Sequence, residues 1–247
     1  MHKLDNFEVD QAILGSNLLV LSILFLFLLF LGFATPIHAQ PLGQCATQQA
    51  RGTPYSNRMV NLAENLPFGS SVVVMGDSIA ARWPSALMTK IFPGKVVNLG
   101  VGGDQLQNTT WVLDHLHGAG VHAAIMVIGT NDIRARAWAE TESCLTEKVA
   151  ALAHAARAAF PQSAIYLFSV LPKGVRQRAF ITRIAALNRL LRSVAAANGF
   201  HYVDVAAIFT RICDGRKACP LFNSDHIHPS EAGYEQMTAV LKAAATD

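Results

Sequence analysis

The side chains in this sequence whose types and placement suit acyl chemistry are a serine, an imidazole, a carboxylate and a carboxamide. The serine is Ser78, in the stretch SVVVMGDSIA over residues 71–80, where an apolar run stops at Gly76-Asp77-Ser78. Glycine lets the backbone turn tightly. A serine just past that turn would open a helix, with its own N–H unsatisfied and the helix dipole favouring negative charge beside it. The same residues also read as a plain cap, with Asp77 or Ser78 holding a first turn that continues through Ala80 and Trp83. On this stretch alone the cap is the better reading. The base and its acid lie in Asn223-Ser224-Asp225-His226-Ile227-His228-Pro229. Asp225 and His228 are close enough in sequence to meet in one turn. The carboxylate would fix the tautomer of the ring, leaving the other nitrogen to take a proton from a hydroxyl. His226 and His228 also read as metal ligands, although no third ligand stands at a suggestive spacing, or as surface loop residues.

Two further stretches offer hydrogen-bond donors. In Ile128-Gly129-Thr130-Asn131-Asp132, the Asn131 amide suits a carbonyl or an oxyanion; an Asn-Asp pair is also a common turn former. Asn98-Leu99-Gly100-Val101-Gly102-Gly103-Asp104 clusters glycines that expose backbone N–H groups. Its G-x-G-G spacing is not that of a dinucleotide turn, and no acidic residue ends a strand about 20 positions on. Nucleophile, base, orienting acid and oxyanion donors together are the parts a serine hydrolase requires, provided that the fold brings them to one edge.

The pattern between these stretches says how that can happen. Short apolar runs at Ser71–Met75, Lys95–Leu99, His122–Ile128, Ala164–Ser169 and His201–Val205 predict five strands. Amphipathic segments at Thr146–Phe160 and Phe180–Asn198, and a last one from Ser230-Glu231 to about Ala245, predict helices between and after them. Alternating strands and helices imply an α/β fold: a three-layer sandwich around a five-stranded parallel sheet. Ligands of such sheets bind beyond the C-terminal ends of the strands. The candidate residues fall there. No internal repeat or second domain is visible.

The chain has 247 residues, is 51% apolar and 15% charged, and carries a formal charge of +3. No basic block suggests nucleic acid. Residues 12–34 hold no charge and are long enough to span a bilayer. Small residues follow, as at a signal-peptidase site, while the preceding stretch is a poor positive n-region. A cleaved signal peptide and a retained membrane anchor through residues 12–34 both place the rest outside the cytoplasm: periplasmic, extracellular or anchored facing outward. The expected layout is residues 1–39 as that segment, 40–70 as linker and lead-in, and 71–247 as the domain. Four cysteines, Cys45, Cys144, Cys213 and Cys219, fit export if disulfide-bonded. Cys213 with Cys219, bracketing a polar loop, is the first expectation, and Cys45 with Cys144 follows; four free thiols is the other reading.

Gly76-Asp77-Ser78-Ile79, Gly103 followed by Asp104, Gly129-x-Asn131-Asp132 and Asp225-x-x-His228 resemble, in order, the four sequence blocks of the SGNH hydrolases, also called GDSL esterases/lipases. Residues 98–104 look like those of the catalytic subunits of platelet-activating-factor acetylhydrolase. The resemblance implies a flavodoxin-like fold. It implies Ser78 as nucleophile, His228 as general base and acid, and Asp225 as orienting carboxylate. The Ser78 N–H, the Gly103 N–H and the Asn131 amide would form the oxyanion hole, and no metal or cofactor would be required. Ile79 stands where the family usually has Leu. The expected substrate is a short-chain acyl ester, acetyl foremost, possibly on a carbohydrate, since the brief linkers leave little room for a lid. A lysophospholipase or thioesterase of the same fold is the enzymatic alternative. An inactive, membrane-tethered module that binds an O-acyl polymer is the rival from another class. Arg82, Trp83, Arg134, Arg136 and Trp138 either line a polar pocket with aromatic walls or are solvated helix residues.

Overall fold

The strand β1 (Ser70–Gly76) lies near the middle of a parallel sheet and explains the rest of the fold. Val73 and Met75 point to one face and Val72 and Val74 to the other, and all four are buried. A strand covered on both faces reads as a continuous apolar run instead of an alternation, as SSVVVMG does. Burying each such side chain contributes about 2 kcal/mol. The computed structural model describes residues 61–67, 69–117, 120–134, 138–173, 180–213 and 219–246. The other strands are β2 (Lys95–Asn98), β3 (Ala123–Val127), β4 (Ala164–Phe168) and β5 (His201–Val203), in the order β2-β1-β3-β4-β5, every pair parallel.

Helices cover both faces. Against Val73 and Met75 pack α3 (Leu106–Asp114), α4 (Trp138–Ala159) and α5 (Ile181–Asn198), through Leu113, Leu152 and Leu187 among others. Against Val72 and Val74 pack α1 (Ser78–Ala81), α2 (Ser85–Met88), α6 (Val205–Cys213) and α7 (Glu231–Thr246), through Ile79, Met88, Phe209 and Met237. This is the three-layer α/β sandwich expected from the sequence. Gly199 ends α5 in the left-handed conformation, φ 64°, where the Asn-Gly stop signal predicted it. The expected last strand is shorter than its apolar run: it stops at Val203, and Val205 already opens α6.

The chain leaves β1 for β2 on one side and reaches β3 on the other. The crevice of a doubly wound sheet opens where the winding reverses, here between β1 and β3. The Gly76 turn and the Thr130-Asn131 turn both end there.

Ala63 is buried against the core, and Leu62 and Leu66 pack beside it. The chain divides into two units, Met1–Pro41 and Leu42–Asp247. The first, with the apolar segment 12–34, lies outside the described residues. Among the described residues no helix is long and apolar enough to cross a membrane. Cys213 and Cys219 are disulfide-bonded, as expected. Cys144 is also disulfide-bonded; its expected partner, Cys45, lies outside the described residues.

Candidate active site

Gly76 makes the first turn possible. Its φ is 133°, and a Cβ built on it would lie 1.8 Å from the Val127 carbonyl oxygen. Only glycine lets the end of β1 run this close to β3. The next residue, Asp77, caps α1: its Oδ1 accepts the Ile79 N–H at 2.8 Å. Ser78 is therefore the first helical residue, and its own N–H has no protein acceptor among the described residues.

Ser78 and His228 are 150 positions apart in the chain, yet Ser78 Oγ and His228 Nε2 are 2.8 Å apart. Two side-chain bonds tie α7 to the helix that carries Ser78. The Tyr234 hydroxyl donates to the Ile79 carbonyl at 3.0 Å, and the Trp83 indole N–H donates to Thr238 Oγ1 at 3.2 Å. The loop just before α7 is closed on itself. The Asn223 N–H donates to the His228 carbonyl at 2.9 Å, and the Asn223 side chain donates to the Pro229 carbonyl at 3.0 Å. His226, at the tip, has φ 59°, a left-handed conformation that costs a non-glycine residue roughly 1–2 kcal/mol. Asp225 Oδ1 accepts the backbone N–H groups of Ile227 and His228, both at 2.9 Å, and its Oδ2 is 2.5 Å from His228 Nδ1. Burial by itself would raise the Asp225 pKa. The bonds from the His228 ring and from the two backbone N–H groups outweigh it and hold the pKa at about 2.

The second loop reaches the same place because β2 hydrogen bonding continues past the strand. The Leu99 N–H donates to the Val74 carbonyl at 2.7 Å, and the Val101 N–H donates to the Gly76 carbonyl at 2.9 Å. The Asn98 side chain donates to the Ala80 carbonyl at 2.8 Å. The position of a Cβ on Gly102 is 4.0 Å from Ser78 Cβ. Gly103 is exposed, with φ 89° and open space around it, and its N–H has no protein acceptor among the described residues. Asn131 donates one amide N–H to the Asp104 carbonyl at 2.9 Å, which leaves the second for a ligand. Asp132 strengthens this clamp: its two carboxylate oxygens accept the Leu106 N–H at 3.1 and 3.3 Å.

Ser78, Gly103, Asn131, Asp225 and His228, all read from the sequence, thus lie at one sheet edge, Ser78 in the first turn of α1 and the others on loops. The hydroxyl, imidazole and carboxylate form a continuous chain of contacts. Such a chain can move a proton from the hydroxyl to Nε2 while Asp225 holds Nδ1–H. The clamps were not visible in sequence. Asp104 and Asp132 meet partners 27 and 26 positions away, and only the folded loops bring them together. Trp83 corrects the pocket-wall reading. It is 3% exposed and packs edge-on against Phe168, centroids 5.2 Å apart, because its indole fills the layer between α1 and α7. Arg82 and Arg134 are exposed; Arg136 and the Trp138 side chain lie outside the described residues. Among the described residues no group of His, Cys, Asp and Glu is arranged to hold a metal.

Beneath the site lie three acids. Burial raises the Asp77 pKa to about 7, with Asp132 adding repulsion. Its Oδ2 sits beside Thr130 without a well-formed hydrogen bond. Burial, then the charge of Asp77, raises Asp104 to about 7. Burial raises Asp132 to about 6 despite the Leu106 N–H.

Residues 68–236, more than half of the chain, match the model of the GDSL-like lipase/acylhydrolase family. The chain belongs to this family. It is a carboxylic ester hydrolase. A GDSL-like lipase of Bacteroides thetaiotaomicron superposes with a TM-score of 0.62 at 23% identity, over 77% of this chain and 97% of that one. An acetylxylan esterase of Geobacillus stearothermophilus superposes with a TM-score of 0.59 at 18% identity, over 72% and 94%. A Streptococcus protein provisionally named as a platelet activating factor gives 0.62 at 24% identity, over 77% and 91%. At these identities the likeness is one of fold. No curated protein matches the sequence.

Proposed function

We propose that this esterase is exported and hydrolyses short acyl esters, acetyl esters of carbohydrate foremost, through a Ser78–His228–Asp225 triad. The observation that carries the reading is the contact chain from Ser78 Oγ through the His228 ring to Asp225, 2.8 and 2.5 Å long. Ser78 Oγ attacks the ester carbonyl while His228 Nε2 takes its proton. The tetrahedral oxyanion is held by the Ser78 and Gly103 N–H groups and the free Asn131 amide N–H. On collapse, His228 gives the proton to the departing alcohol, leaving Ser78 acylated. Water, deprotonated by His228, then attacks the acyl carbon, and the carboxylic acid leaves as the proton returns to Ser78.

The fold shared with an acetylxylan esterase agrees with acetyl on a glycan. Export is supported by the uncharged segment 12–34 and by the Cys213–Cys219 disulfide, which persists in oxidising compartments. Ser78→Ala is expected to abolish both hydrolysis of 4-nitrophenyl acetate and labelling by a fluorophosphonate. A variant that cleaves at the wild-type rate overturns the triad.

A further inference from the structure

The loop that carries Asn131 is flanked by positive charge that the proposed mechanism does not use. Lys173, half-buried in the segment after β4, donates to the Thr130 carbonyl at 3.4 Å, one residue before Asn131. Its ammonium lies 4.9 Å from the centroid of the Phe180 ring. The Arg183 guanidinium stands over the same ring at 5.5 Å and donates to the Ile133 carbonyl at 3.2 Å. Arg134, exposed on the 3-10 turn Asp132–Arg134, brings another charge to the group.

Among the described residues no carboxylate forms an ion pair with Lys173 or Arg134. Asp132, next door in sequence, is buried and occupied by the Leu106 N–H. Asp77 is buried as the cap of α1. Burial and the charge of Arg134 lower the Lys173 pKa to about 8, against a smaller opposing pull from Asp77. The fold therefore keeps two cations close together beside an oxyanion donor at an electrostatic cost, and an anion arriving with the substrate would relieve it.

We propose that Lys173 and Arg134 form an anion subsite, and that the natural ester carries a carboxylate, sulfate or phosphate near the scissile bond. This inference rests on the esterase reading above. It makes Lys173 and Arg134 specificity-determining residues that act on binding.

The test uses two pairs of esters matched in reactivity. One pair puts the charge in the alcohol part, 4-acetoxybenzoate against 4-acetoxybenzamide. The other puts it in the acyl part, 4-nitrophenyl hydrogen adipate against 4-nitrophenyl hexanoate. The expected result at pH 7 is a preference of about tenfold in kcat/KM for the anionic member of at least one pair, carried by KM. The ratio is taken within each protein, so a general loss of activity cancels. Lys173→Ala and Arg134→Ala should each erase most of the preference, and Lys173→Arg should keep it. As pH rises past about 8, the value to which burial and Arg134 lower Lys173, the wild-type preference should fall while that of Lys173→Arg persists. Equal turnover of both members of both pairs overturns the subsite and leaves the esterase standing. A preference that survives both alanine substitutions overturns its assignment to these residues. Failure to hydrolyse any of the four esters overturns the esterase reading and the subsite with it.

Discussion

Asp225 shows how much one residue can decide. Its Oδ1 takes two backbone N–H groups and its Oδ2 takes the His228 ring, so the carboxylate builds the turn and sets the tautomer at once. Asparagine fits the same space but supplies only one acceptor oxygen. With that oxygen kept by the two backbone N–H groups, its NH₂ faces Nδ1 and forces the ring to present a protonated Nε2 to Ser78. Asp225→Asn should therefore fold normally and lose turnover by on the order of 10³–10⁴, in kcat more than KM. Circular dichroism with steady-state kinetics on 4-nitrophenyl acetate checks both halves; a variant within tenfold of wild type would show that Asp225 does not orient the base. Asp77 has the opposite character. It is the more conspicuous acid in sequence, yet it is fully buried and hydrogen-bonded to the Ile79 N–H. These contacts put Asp77 at the turn and Asp225 at the ring.

At the scale of elements, the site depends on two joints. The first is the close approach of β1 and β3 at Gly76, where a Cβ would meet the Val127 carbonyl carbon at 2.6 Å as well as its oxygen. Backbone cannot yield as a flexible side chain can. Gly76→Ala should cost about 3 kcal/mol or more, read as a lower urea midpoint; an unchanged midpoint would mean that the strands do not approach so closely. The second joint is the Cys213–Cys219 disulfide, which fastens the end of α6 to the segment leading into the Asp225–His228 loop. Closing so short a loop contributes about 2 kcal/mol. Cys213→Ala with Cys219→Ala should lower stability by that amount and reduce activity before global unfolding; an unchanged urea midpoint in the double variant would count against it. The strands, the α5 stop and this disulfide were legible in the sequence because each has a local signature. The helix α3 was not singled out, since in Leu106–Asp114 a polar run, Gln107 to Thr110, separates Leu106 from Trp111, Val112 and Leu113. The strand after α5 was overrun by two residues because Val203 and Val205 are both buried apolar residues, and composition does not mark the turn at Asp204. The Asn131–Asp104 and Asp132–Leu106 clamps join separate loops, so no local pattern carried them.

At the scale of the molecule, the buried acids make folding respond to pH. Asp77 and Asp104 titrate near 7 and Asp132 near 6, in each case chiefly through burial, against 3.8 unperturbed. Between those values the native state holds protons that the unfolded chain has released. The unfolded state then binds fewer protons, so stability falls as pH rises through about 4 to 7. Asp225 runs the other way: its pKa near 2 gives stability that is present above 3.8 and lost only as pH falls toward 2. Lys173, lowered to about 8 from 10.5 by burial and Arg134, restores some stability as pH rises between those values. The urea midpoint should therefore be higher at pH 4.5 than at 7.5. Asp77→Asn keeps the cap, since asparagine caps as well as aspartate, and removes one titrating group, so its profile should be flatter over that range. Stability that instead increases from pH 4.5 to 7.5 would contradict a native state that holds these protons.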